Sequence, residues 1–130
     1  MRFFTAAIVT VSALTSCMAV AEEEWIDIAK SDEGLKWQVQ SSSLEFTETE
    51  DGTAINLVNG KIINKKKNEV ELYKWYVSKK DCKRKSGLVV STDLDGKFQF
   101  ENEFVIGDES IAAAMAEVVC TAAKYRKANE

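Results

Sequence analysis

The side chains best equipped for chemistry in this chain are three cysteines, Cys17, Cys82 and Cys120, and a run of lysine and arginine that brackets the second of them. A thiolate is a nucleophile and a metal ligand, and in an oxidising compartment two thiols pair instead. No histidine is present. Its absence removes the commonest general base and metal ligand, and with them every Ser-His or Cys-His nucleophile. The carboxylates fall in turns and tails, so the residues point away from an enzyme, and no cofactor or metal is expected. Ser91-Thr92-Asp93-Leu94-Asp95-Gly96 imitates a calcium loop. That pattern needs Asp at its first position and Glu at its twelfth, where this chain has Ser91 and Asn102. A hairpin turn is expected there.

The cysteine count turns on the N-terminus. Arg2 precedes an apolar run, Phe3 to Leu14, that is short for a membrane span and gives way to Glu22-Glu23-Glu24. This is the pattern of an export signal. Two cutting signals overlap within it. Leu14-Thr15-Ser16-Cys17 is an acceptable lipobox, which would leave a lipid on Cys17. Ala19-Val20-Ala21 fits the small-x-small rule of signal peptidase. Ordered structure is expected from Trp25 with no intervening linker, which favours cleavage after Ala21. Residues 1–21 are then a signal peptide and residues 22–130 one domain. A lipidated Cys17, and with it a membrane anchor, is the alternative. Either cut leaves two cysteines, so a Cys82–Cys120 disulfide is expected in both cases. The formal net charge of −4 becomes −5 once Arg2 is lost. That acidic balance argues against a nucleic-acid partner.

Five of the seven residues from Lys79 to Lys85 are basic: Lys79, Lys80, Lys83, Arg84 and Lys85. One reading is a docking patch for a polyanionic glycan or an acidic protein. The other is a set of lysines guarding a sheet edge. Lys65-Lys66-Lys67 reads as a solvated turn.

These residues need a frame, and the frame is written mostly with period two. Trp37 and Val39 share a parity, as do Leu44 and Phe46. Ile55 and Leu57 give way to Val58 and Ile62 around Asn59-Gly60, which suggests a bulge or a twist there. Tyr73, Trp75 and Val77 face one way and Leu72 and Tyr76 the other, so this strand reads as central. Its second face leaves room for a homodimer contact. Asp51-Gly52 and Asp95-Gly96 are turn signals. Phe98, Phe100, Phe104 and Ile106 share a parity. The C-terminal stretch is helical, with Asp108 as the expected N-cap and a stripe of Ile111, Met115, Val118, Ala122 and Tyr125. Glu117, Thr121 and Lys124 form a polar wedge with Cys120 at its margin. The expected fold is α+β, an antiparallel sheet of five to six strands with one C-terminal helix packed on it and one disulfide.

With these residues in view, the chain resembles the bacterial surface-adhesin protein E family. Trp25, Asp81-Cys82-Lys83-Arg84-Lys85, Ser110 and Val119-Cys120 stand where that family has its early Trp, its Asp-Cys-basic signature, its helix start and its Val-Cys. The family's Pro-Gly before the serine is replaced here by Ile106-Gly107-Asp108-Glu109. The resemblance implies an adhesin E-like domain over residues 22–130, in the periplasm or on the outer surface of a Gram-negative envelope, binding host or extracellular ligands. A periplasmic accessory or inhibitor protein is the alternative. No ligand-binding residue transfers, because no specific binding motif is matched.

Overall fold

The computed structural model describes residues 24–128. The expectations at Cys17 and Ala21 lie outside them. Six strands run in chain order as one antiparallel meander: β1 (Ile26–Lys30), β2 (Leu35–Glu48), β3 (Ala54–Asn64), β4 (Glu69–Ser78), β5 (Ser86–Thr92) and β6 (Phe98–Val105). A short helix α1 (Lys79–Arg84) joins β4 to β5, and the long helix α2 (Ile111–Ala128) closes the chain. This is the expected α+β sheet with its C-terminal helix, plus one short helix that strand periodicity does not reveal.

Each β-hairpin is turned by short polar chemistry. Between β2 and β3 the Asp51 carboxylate accepts from the Thr53 hydroxyl at 2.9 Å and amide at 3.3 Å, and from the Thr49 hydroxyl. These hydrogen bonds, that from Thr49 foremost, hold the Asp51 carboxyl below its usual range. Between β5 and β6 the Asp93 carboxylate accepts from the amides of Asp95 and Lys97, both at 2.9 Å. The calcium-like segment is therefore a hairpin turn whose leading carboxylate caps backbone. Gly96 takes a φ of +90°, which a side chain would resist.

The core lies between α2 and one face of the sheet. Val39, Val58, Trp75, Val77, Val89 and Phe104 face Met115, Ala116 and Val119, all nearly inaccessible to water. β4 pairs with β3 on one side and β5 on the other, so it is central, as its two apolar faces require. Val58, Trp75 and Ser91 form one cross-strand row.

Four expectations shift. First, β3 pairs with β4 without a break from Ile55 to Asn64, so there is no bulge at Asn59-Gly60. The irregularity is in β2, between Gln40 and Glu45. There the Ser43 hydroxyl donates to the Gln40 carbonyl at 2.5 Å and accepts the Asn59 amide at 2.8 Å, replacing ladder bonds. The extra residues carry the core side of β2 from odd Trp37 and Val39 to even Leu44 and Phe46. Gly60 has a different reason: a Cβ there would lie 2.4 Å from Cε3 of the Trp75 ring.

Second, the register of β5 with β6 shifts between Ser91 and Thr92, so Phe98 departs from the face of Phe100 and Phe104. Third, the N-cap of α2 is Ser110, whose hydroxyl accepts the Ala113 amide at 3.0 Å, and not Asp108. Fourth, the buried stripe of α2 centres on Met115, Ala116 and Val119, while Tyr125 is 69% exposed. Counted at 100° per residue, the helix is rotated by about a quarter turn from the expected stripe, toward Cys120. The small side chains at Ala113 and Ala116 let this face approach the bulky Trp75 row.

The sheet's other face is mixed. Ile55 and Val90 are buried there, while Leu72 and Phe98 remain exposed. An open cleft of about 750 Å³ runs over Ile55, Tyr76 and Phe98 with Glu48, Glu50 and Asp51 at its rim. Partial burial first, then the charges of Glu101 and Asp51, push the Tyr76 hydroxyl above its usual value. This acidic, part-apolar surface is where the sequence left room for a homodimer.

Candidate functional site

The basic run does not guard a sheet edge. The edges are β1 and β6, whereas Lys79 to Arg84 form α1, in the connection between two interior strands. The local sequence explains the helix. Ser78 caps its start, its hydroxyl accepting the Asp81 amide at 3.0 Å. Lys85 ends it in the left-handed conformation, φ 66°, and donates its amide to the Asp81 carbonyl at 2.8 Å. Asp81 is the anchor. One carboxylate oxygen accepts from Arg84 at 2.7 Å and the other from the Leu88 amide at 3.1 Å. Gly87 leaves room for that carboxylate, since a Cβ there would lie 2.1 Å from it.

Coiling the run into a helix divides it. Counted at 100° per residue, Lys79, Cys82 and Lys83 fall within one arc of about 100°, and Lys80 and Arg84 on the arc beside it. The first group faces α2. Between the two helices lies a groove of about 740 Å³, lined by Lys79, Lys83 and Lys85 on the α1 side and by Glu117, Thr121 and Lys124 on the α2 side. The polar wedge of α2 is thus one wall of the groove. Lys124 joins the basic cluster from 39 positions beyond Lys85, a distance in sequence that no local pattern spans. Lys80 does not line the groove, and Arg84 is tied to Asp81.

The Cys82–Cys120 disulfide joins the two walls, with Cα atoms 5.5 Å apart. Both cysteines line the groove. Phe46 also lines it, with Lys79 Nζ 4.9 Å and the Arg126 guanidinium 5.2 Å from the ring centroid. Arg126 also donates to the Leu44 carbonyl, which fixes α2 against the bulge in β2. Beneath the disulfide lies Asn56, only 3% exposed. Its Nδ2 donates to Cys82 Sγ at 3.4 Å, and its Oδ1 has no partner among the described residues. A buried acceptor left unpaired costs about 1–3 kcal/mol, so the position is not one that packing alone would select.

The groove can do two things chemically. Its lysines can hold an anion: among the described residues, none of Lys79, Lys83, Lys85 and Lys124 has a carboxylate within ion-pairing distance. Its floor carries a sulfur–sulfur bond beside a hydrogen-bond donor. Among the described residues no three His, Cys, Asp or Glu side chains converge as a metal site, and no helix is long and apolar enough to cross a membrane. Trp25 packs near the start of β1 with Lys61 Nζ 4.1 Å from its ring centroid, on a different part of the surface. Comparison with protein-family models, with curated proteins and with solved structures finds no match for this chain.

Proposed function

We propose that this chain is an exported, non-enzymatic binding module that docks a polyanionic glycan in the groove between α1 and α2. The observation that carries the reading is the convergence of four lysines, without ion-pair partners among the described residues, on a groove between two helices clamped by a disulfide. Lysines spent on stability alone have no reason to crowd one groove, because like charges in proximity repel. Lysine is a point charge on a flexible stem, suited to the scattered sulfate and carboxylate groups of a glycan chain more than to planar bidentate pairing. The resemblance to the surface-adhesin protein E family points the same way, toward a module that binds ligands outside the inner membrane.

Retention on immobilised heparin tests this. Changing Lys79, Lys83, Lys85 and Lys124 together to Gln should bring the protein into the flow-through at about 0.15 M salt, where exposed charge contacts are already screened. Changing Lys80 and Arg84 to Gln should leave most of the retention. Neither variant should shift the melting temperature by more than about 2 °C, since exposed charges contribute little. Equal retention by the fourfold variant, or equal loss by the control pair, rejects the groove as the docking site.

Export has its own test in the mass of the native N-terminus. Cleavage after Ala21 gives an unmodified chain beginning at Glu22, while a lipoprotein begins with acylated Cys17. An intact Met1 in the purified native protein would end the exported reading. Protease access on intact cells then separates the outer surface from the periplasm.

A further inference from the structure

The disulfide has a chemical asymmetry. Its sulfurs belong to opposite walls of the groove, Cys82 to α1 and Cys120 to α2. Both are partly exposed, and both line the groove. Asn56 directs its N–H at Cys82 alone. Exchange of a disulfide requires access for an attacking thiolate and a leaving sulfur whose negative charge is stabilised. Hydrogen-bond donors and nearby positive charge supply that stabilisation. Cys82 has the donor, and Lys79, Lys83, Lys85 and Lys124 line the same groove as both sulfurs.

We propose that Cys82–Cys120 is an exchange site for small anionic thiols, with Cys120 Sγ the atom attacked and Cys82 the leaving thiolate. An incoming thiolate forms a new S–S bond to Cys120. The Cys82–Cys120 bond breaks, and its electron pair leaves on Cys82, a thiolate to which the Asn56 N–H donates. A second thiolate of the same class attacks the small-molecule sulfur of the mixed disulfide, and Cys120 departs as a thiolate. Two thiols are oxidised to one small disulfide, the chain gains two electrons, and the two protons the thiols gave up are available to the two cysteines. Reduction also removes the only covalent cross-link between α1 and α2 among the described residues, so the redox state of the bond governs how firmly the groove's walls are held together. The exchange shares the groove with glycan docking but does not rest on it.

The test uses the native processed chain, folded and without denaturant, exposed briefly to glutathione and quenched by acid and alkylation. Mass spectrometry should find the glutathione adduct on Cys120 and the alkyl group on Cys82. Glutathione, an anionic thiol, should react faster than neutral 2-mercaptoethanol at low salt by about threefold to tenfold, after correction for intrinsic thiol reactivity. That preference should vanish when Lys79, Lys83, Lys85 and Lys124 are changed to Gln. In Asn56→Leu the adducts should spread over both cysteines. The wild-type adduct position needs no variant and decides the question even if Asn56→Leu folds poorly. An adduct on Cys82, an even distribution in the wild type, or exchange no faster than global unfolding overturns the proposal. A chain that exchanges through Cys120 yet ignores heparin would defeat only the docking reading, and the converse would defeat only this one.

Discussion

Truncation of Trp75 to alanine is expected to cost about 3–5 kcal/mol, the range for removing a large aromatic from a core. Trp75 has no accessible surface, and it occupies the middle of the central strand, between Val58 on β3 and Ser91 on β5. Its ring lies over the bare backbone of Gly60 so closely that a Cβ would come within 2.5 Å of three ring atoms. Gly60→Ala should therefore be destabilising as well, by about 1–3 kcal/mol or more, because the ring must move within a packed core. The two effects should not add. With the ring already gone, Gly60→Ala should cost much less, a coupling that urea unfolding of the two single variants and the double variant would measure. Additive losses would mean that Gly60 is needed for some other reason, and a Trp75→Ala cost under about 1 kcal/mol would contradict its place at the centre of the core.

Replacing Cys82 and Cys120 together with alanine should lower stability by about 3–4 kcal/mol in the chain-entropy account of cross-links. The bond closes a separation of 38 residues that includes β5, β6 and just over half of α2. Without it the unfolded chain regains the freedom of that loop, while the folded state keeps the Trp75 core. The expected phenotype is thus a folded but less stable protein with an unchanged far-ultraviolet spectrum. Unfolding the oxidised and reduced wild type in parallel should give nearly the same difference as the double variant. A gap between the reduced protein and the alanine variant would report on the free thiols, and so on the contact between Asn56 and Cys82. A change below about 1 kcal/mol would show that the bond adds little to folding, which would place its value in the chemistry of the groove.

Much of the sheet was legible in order. Alternating side chains between Asp51-Gly52, the lysine turn and Asp95-Gly96 mark strands because a strand exposes its two faces by turns and a reversal needs these turn residues. The disulfide was legible from counting, since removing or lipidating Cys17 leaves only one pairing. What escaped depended on contacts between distant segments. The bulge belongs to β2 and not β3 because Ser43 finds the Asn59 amide across the ladder, a partner 16 residues away. The quarter-turn rotation of α2 follows from the shape of the Trp75 row and from the pull of Cys82, neither of which is written in the helix itself. Ser110 could be confused with Asp108 because both are good caps, and only the backbone turn before the helix chooses between them.

The same division runs through the groove. By itself the sequence determined the charge of the basic run, its neighbourhood to Cys82 and the identity of the cysteine pair, all properties of residue type and spacing. Only the tertiary structure decided which basic residues line one groove. It coiled the run into α1, leaving Lys80 and Arg84 outside the groove that Lys79 and Lys83 line, and it brought Lys124 and Cys120 to the same groove. The reason is physical: an i, i+4 periodicity sorts side chains by direction within one helix, but which direction meets a partner is settled by where the second helix packs, and that is fixed by the buried row of Val58, Trp75 and Ser91 beneath it.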